Sequence, residues 1–109
     1  MTVTELQNSL SLTPVSLPEG DREVEGVYIG DLLSWVMGRA QSGNVWLTIM
    51  SNLNIVAVAT LSDVSCIVLC EGVTLDETVK NTAEAKGINI CATDMTAYEA
   101  AKKLAELGL

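Results

Sequence analysis

Asn54-Ile55-Val56-Ala57-Val58-Ala59-Thr60-Leu61 is the stretch on which the fold turns. Its β-branched residues favour a strand by propensity alone. Its neighbours favour a helix. On one side lies Asn44-Val45-Trp46-Leu47-Thr48-Ile49-Met50, and on the other Ser65-Cys66-Ile67-Val68-Leu69-Cys70, bounded by Asp63 and Gly72. Both are continuous apolar runs of the kind buried on both faces of a parallel sheet. Parallel neighbours need a crossover between them, so a helix over 54–61 lets strand and helix alternate from Val24 to Leu107. A strand there would instead pair as one arm of an antiparallel hairpin. Reading the segment as helix gives the fold class: α/β, a single three-layer α/β/α domain around a mostly parallel sheet of about four to five strands.

The flanking elements fit that alternation. Val24 to Ile29 reads as a strand and Asp31 to Ala40 as a helix, with Leu32, Leu33, Trp35, Val36 and Met37 at helical spacing. Thr74-Leu75-Asp76-Glu77 has the form of a capping box, in which the threonine oxygen and the glutamate three residues on each satisfy a free backbone N–H. The helix it opens runs through Val79, Thr82, Ala83 and Lys86 and closes at Gly87, which can turn left-handed. Ile88 to Ala92 is a short strand. A second capping box, Thr96-Ala97-Tyr98-Glu99, opens the last helix. Its Ala97, Ala101, Leu104 and Leu107 make one apolar face, and Lys102 and Lys103 lie toward the end where the helix dipole favours cations. Residues 1–23 supply an N-terminal helix and a connector, and Pro14, Pro18 and Gly20 confine any strand there to a sheet edge. The chain reads as one domain over 1–109, with its α/β core at 24–109.

Composition excludes several function classes. A net charge of −8 repels a phosphate backbone, and no basic cluster exceeds the pair Lys102-Lys103, so no nucleic-acid partner is expected. The same acidity, without a basic amphipathic stretch, argues against a membrane surface. No apolar run reaches the roughly 18 residues of a spanning helix, and Met1 to Leu12 lacks a basic start and a cleavage signal, so a cytoplasmic location is expected. With no phenylalanine, the core falls to Val, Ile, Leu, Ala and Met. Cys66, Cys70 and Cys91 lie within apolar runs. On a strand, Cys66 and Cys70 would stand about 13 Å apart at ~3.3 Å per residue, beyond a disulfide. Buried, reduced thiols follow. Cys70 and Cys91 at neighbouring strand ends would make only half a metal site, and no third ligand is spaced to complete it, so neither metal nor cofactor is expected.

The absence of histidine removes serine–histidine and cysteine–histidine catalysis, and no glycine-rich loop with lysine and Ser/Thr cradles phosphates. Asp31, where a strand hands over to a helix, has the position of an N-cap; a ligand-facing role is the alternative. Ligands of open parallel sheets sit beyond the carboxyl ends of the strands. That directs attention to Ser51, Asn52 and Asn54 after one strand, Cys70, Glu71 and Gly72 after the next, and Thr93 and Asp94 after the last. These groups suit recognition; a base role for Asp31, Glu71 or Asp94 is the enzymatic alternative. Trp35 and Trp46, in a chain so poor in aromatics, are candidate subunit-contact residues if exposed.

Together these segments resemble the DRTGG domain family, which is related to the N-terminal domain of HPr kinase/phosphorylase. The resemblance rests on Gly26-Val27-Tyr28-Ile29-Gly30-Asp31-Leu32-Leu33-Ser34-Trp35-Val36-Met37, on Val45-Trp46-Leu47-Thr48-Ile49, on Asn54 to Ala59 and on Ile67-Val68-Leu69. It is that of a small stand-alone member. It implies a regulatory or dimer-forming role with no assigned chemistry, since larger relatives carry the domain beside paired CBS domains in pyrophosphatases or beside phosphotransacetylase. Where relatives have Gly-Asp-Arg, this chain has Ser51-Asn52-Leu53, and their Thr-Gly-Gly is nearest to Cys70-Glu71-Gly72. The kinase label does not carry over, because the phosphate loop belongs to a separate domain. The expected function is that of a non-catalytic, homodimeric regulatory domain taking a small polar or nucleotide-like ligand at the carboxyl edge. The alternative is a protein-interaction subunit without a small ligand.

Overall fold

In chain order the elements are α1 (Val3–Ser9), β1 (Thr13–Ser16), β2 (Val27–Ile29), α2 (Leu33–Arg39), β3 (Val45–Thr48), α3 (Asn54–Ser62), β4 (Cys66–Leu69), α4 (Glu77–Ala85), β5 (Ile90–Ala92) and α5 (Ala97–Glu106). They are seen in a computed structural model that describes residues 1–109. The decisive segment is helical, and it carries the chain between two parallel strands in which Trp46 lies opposite Ile67. The sheet order is β1-β5-β4-β3-β2, parallel except for β1, which pairs antiparallel with β5 at one edge.

Strand alternation divides the core in two. Val45, Leu47, Cys66, Val68 and Cys91 point to the face covered by α1 and α5, where they meet Val3, Leu6, Ala100 and Leu104. Trp46, Ile67, Leu69 and Ile90 point to the other face, under α2, α3 and α4, against Val36, Ile55, Val56, Ala59, Val79 and Ala83. This is the expected α/β/α layering. Because both faces are covered, β3 and β4 are buried at every position.

At the amino edge of the strands, buried asparagines tie the loops together. Asn89 Nδ2 donates to the carbonyls of Glu19 (2.8 Å) and Ser65 (2.9 Å), and its Oδ1 accepts from the Glu19 N–H. Asn44 Nδ2 donates to the Glu25 carbonyl, and its Oδ1 accepts from the Gln41 N–H. Arg22 pairs with Asp63 at 2.8 Å, which fastens the N-terminal connector to the end of α3. The Ser42 hydroxyl, and then Arg22, hold the Asp63 carboxyl below its usual range.

Several expectations need correction. The Thr74 capping box does not form: α4 begins at Glu77 with Asp76 as its N-cap residue, without a side-chain cap bond. The chain leaves β4 through left-handed Glu71 and Gly72, and half-buried Leu75 is drawn against the core, so Thr74 is still outside the helix. Asp31 is not an N-cap either, since α2 starts at Leu33 behind Leu32. In the last helix the buried positions are Ala100 and Leu104, with Ala97 and Ala101 beside them; Leu107 lies beyond the helix and is exposed. The Thr96–Glu99 box forms as expected, and an equivalent box, Thr2–Glu5, opens α1.

These caps make a paired test. Thr96→Ala is expected to destabilise the domain by about 1 kcal/mol in urea unfolding. Thr74→Ala should stay within about 0.5 kcal/mol of the parent. Equal losses would contradict the helix boundary described here.

Candidate functional site

Strands β2 to β5 all point one way, so their carboxyl ends share one edge. Strand β1 enters from that same edge, with Thr13 opposite Ala92. Helices α2, α3 and α4 return over one face of the sheet, whereas α5 returns over the other. The chain therefore departs from adjacent β4 and β5 in opposite directions. Such a divergence opens a crevice between neighbouring strand ends, the general location of ligands in open α/β sheets. A cavity of about 170 Å³ lies there, lined by Gly72, Val73 and Thr74 after β4, by Ala92, Thr93 and Asp94 at the end of β5, and by Thr13 of β1, which pairs with Ala92.

Two loops shape this crevice. The β4–α4 loop takes left-handed backbone at both Glu71 (φ 60°) and Gly72 (φ 73°). Their N–H groups donate to the carbonyls of Met95 (2.8 Å) and Thr93 (3.0 Å), and the Thr93 N–H donates to Leu69. The loops after β4 and β5 are thus zipped together beyond the strands. A Cβ on Gly72 would come within 3.1 Å of Asp94 Oδ1, so glycine here allows both the backbone angle and the approach of that carboxyl group. Since these N–H groups are spent within the loops, they leave no backbone nest for a phosphate.

Of the residues singled out from the sequence, Gly72, Thr93 and Asp94 come together in this crevice, and Glu71 and Cys70 lie immediately before it. Ser51, Asn52 and Asn54 do not join them. They stand at the end of β3, where Asn52 Oδ1 accepts from the Asn54 N–H (2.9 Å) at the start of α3. Asn54 instead lines a separate groove. Thr13, Val73, Thr74 and Ala92 also line the crevice but are not foreseen as liners from the sequence, which marks Thr74 only as a helix cap. Only the antiparallel docking of β1 brings Thr13 there, and no local pattern records that pairing.

Asp31 has a different task from the one expected. Its Oδ1 accepts from Thr48 Oγ1 (2.8 Å) and from the Ile49 N–H (3.0 Å), which clasps the β2–α2 turn to the end of β3. Burial, and then the charges of Glu71 and Asp31, push the Cys70 thiol up to about 11. The neighbouring Cys91 thiol, and then burial, push the Cys66 thiol well above its ordinary value. All three cysteines are free and buried, and no group of three or more His, Cys, Asp or Glu is placed to hold a metal ion.

The tryptophans part company. Trp46 is wholly buried, with its indole N–H donating to the Gly30 carbonyl at 2.9 Å, and cannot serve as a contact residue. Trp35 is 52% exposed beside exposed Leu32 and Met37, with the Arg39 guanidinium 3.7 Å from its ring centroid.

The fold and the crevice define a small α/β domain whose parallel strands end on one open edge. Residues 18–107 match the DRTGG domain family, and the chain belongs to that family. No curated protein matches the sequence. Among solved structures, the chain is similar to the CBS and DRTGG domains of the regulatory region of Clostridium perfringens pyrophosphatase, complexed with its activator diadenosine tetraphosphate. The TM-score is 0.73 at 14% identity, a likeness of fold, over 94% of this chain and 45% of that one. The chain therefore spans less than half the length of this relative. No helix is long and apolar enough to cross a membrane.

The thiols supply a direct test of this edge. At pH 8 the folded protein is expected to react with an aromatic disulfide reagent far more slowly than the same chain in guanidinium, where all three thiols should titrate. A fast-reacting thiol in the folded state would contradict the burial and raised pKa at Cys70.

Proposed function

We propose that this domain is a non-catalytic sensor that takes a small hydrogen-bond-donating ligand, nucleoside-like rather than polyphosphate, in the β4/β5 crevice. The observation that carries the reading is the crevice itself, formed where the chain leaves adjacent strands toward opposite faces. Its lining bears hydroxyls and one carboxyl group, Asp94, with Glu71 beside it and no Lys or Arg. Such a surface accepts hydrogen bonds and repels phosphates. At about 170 Å³ it is smaller than the ~300–1,000 Å³ pockets that enclose drug-sized molecules, so it fits one ring or sugar rather than a whole dinucleotide. The family relation supports a nucleotide-like class, since the related regulatory region carries an adenine-containing activator. The acidic lining directs that class toward its uncharged part.

A homodimer is the second element of the proposal. Strand β2 is an open sheet edge, and α2, which covers the sheet beside it, buries only Val36 fully while Leu32, Trp35 and Met37 stay exposed. A second copy meeting this face about a two-fold axis would cover those side chains and the unpaired edge together. Docking of an unrelated protein on the same face is the competing reading, favoured only if the isolated chain is monomeric.

Thermal shift with adenosine, guanosine, AMP and diadenosine tetraphosphate tests the crevice. A nucleoside at about 100 times its Kd should add about 2.7 kcal/mol of stability. The phosphorylated forms should add less, and Asp94→Asn should reduce the effect. Absence of stabilisation by every nucleoside, or indifference to Asp94→Asn, would sink the ligand reading. For pairing, light scattering should give a dimer that Trp35→Ala converts to monomer; a monomeric parent chain at high concentration would refute it.

A further inference from the structure

Helix α3 carries no charged side chain from Asn54 to Ser62. Its exposed positions are Asn54, Ala57, Thr60 and Leu61, of which Leu61 is 74% exposed. A helix with this composition is expected in an interior, not at a surface. Its neighbour α4 is different, with Glu77, Lys80 and Glu84 along its length and Lys86 at its end. Between the two helices runs an open groove of about 520 Å³, larger than the β4/β5 crevice and sharing no lining residue with it.

The chemistry of this groove is asymmetric. One wall is the row Leu53, Ala57 and Leu61, spaced by one helical turn each and so about 12 Å long at ~1.5 Å per residue. The opposite wall bears Thr82 and Lys86. The hydroxyls of Thr60 and Thr82 are turned to their own helices, donating to the carbonyls of Val56 and Thr78. Lys86 is the only charged residue in the lining of a groove on a chain of net charge −8, and neither of the two salt bridges engages it. Both α3 and α4 run back from the carboxyl edge to the amino edge of the sheet, so Lys86 stands at the Leu61 end of the row.

We infer that the α3/α4 groove is a second ligand site, independent of the crevice, for a single-chain aliphatic monocarboxylate whose tail lies along Leu53, Ala57 and Leu61 and whose head pairs with Lys86. Charge complementarity selects the anionic head, and the length of the apolar row selects a tail of medium length. The volume falls in the ~300–1,000 Å³ range of small-molecule sites. No step of this inference draws on the proposed nucleoside site, and either can fail alone.

Amide-resolved NMR titration of the full chain with decanoate, below its micellar concentration, tests the inference, with decanol as the uncharged counterpart. Decanoate should shift resonances of 53–61 and 82–86 and leave Gly72, Thr93 and Asp94 unmoved. Lys86→Gln should weaken decanoate about fivefold, the equivalent of one exposed ion pair of about 1 kcal/mol, without changing decanol. Ala57→Glu, which puts a like charge and bulk into the apolar row on an exposed position, should abolish decanoate binding in a chain whose spectrum remains folded. Shifts spread over the whole surface, equal affinity for decanol and decanoate, or an unchanged affinity in Lys86→Gln would overturn the assignment.

Discussion

Two adjacent strands that run the same way cannot be joined by a tight turn, and the chain answers this constraint three times in succession. Each return path from β2 to β5 is a helix laid on the same face, so β2, β3, β4 and β5 stand in order across the sheet. The most consequential of these crossovers is α3, because it joins the two fully buried strands. Its apolar residues meet Trp46, Ile67 and Leu69 beneath it. With that helix in place, every parallel strand ends on the same edge. After β5 there is no further strand to reach on that face, and α5 crosses to the opposite one, where α1 already lies.

The two edges of the sheet consequently serve different ends. The amino edge is closed by side chains that satisfy buried loop groups: Asn44, Asn89 and Ser65 donate to carbonyls of segments distant in sequence. Buried polar groups are costly unless partnered, and here every buried side-chain nitrogen and oxygen is partnered. The carboxyl edge is held mainly by backbone. Asp31 clasps one end, the Glu71-Gly72 turn zips to Thr93 and Met95 at the other, and the side chains of Thr74 and Asp94 remain exposed. An edge braced by its backbone leaves side chains such as those of Thr74 and Asp94 outside the bracing.

Much of the core could be read along the chain because burial on both faces leaves a continuous apolar run, and because Thr96-Ala97-Tyr98-Glu99 and Gly87 act through bonds and angles within a few residues of themselves. Thr74 shows where that reasoning stops. Its spacing to Glu77 satisfies the local pattern, yet the packing of Leu75 and the left-handed turn before it hold the threonine outside the helix. Asp31 is a similar case, in which a partner on another strand, Thr48, outcompetes the nearby helix N-terminus for the carboxyl group. Of the residues proposed for recognition, those after β4 and β5 converge, while those after β3 face elsewhere. Strand ends could be named from sequence, but not the face toward which each following helix departs.

What the sequence by itself determined is what short-range chemistry controls: the alternation of apolar strands with helices, the glycine that ends α4, the cap of α5, the lack of any histidine and the acidic balance of charge. Only the tertiary structure decided that β1 docks antiparallel beside β5, that Trp46 is buried while Trp35 is exposed, and that α4 and α5 diverge to open a crevice. The physical reason is that these outcomes depend on contacts between segments tens of residues apart. Their free energies belong to the assembled layers and leave no periodic trace in any one stretch of the chain.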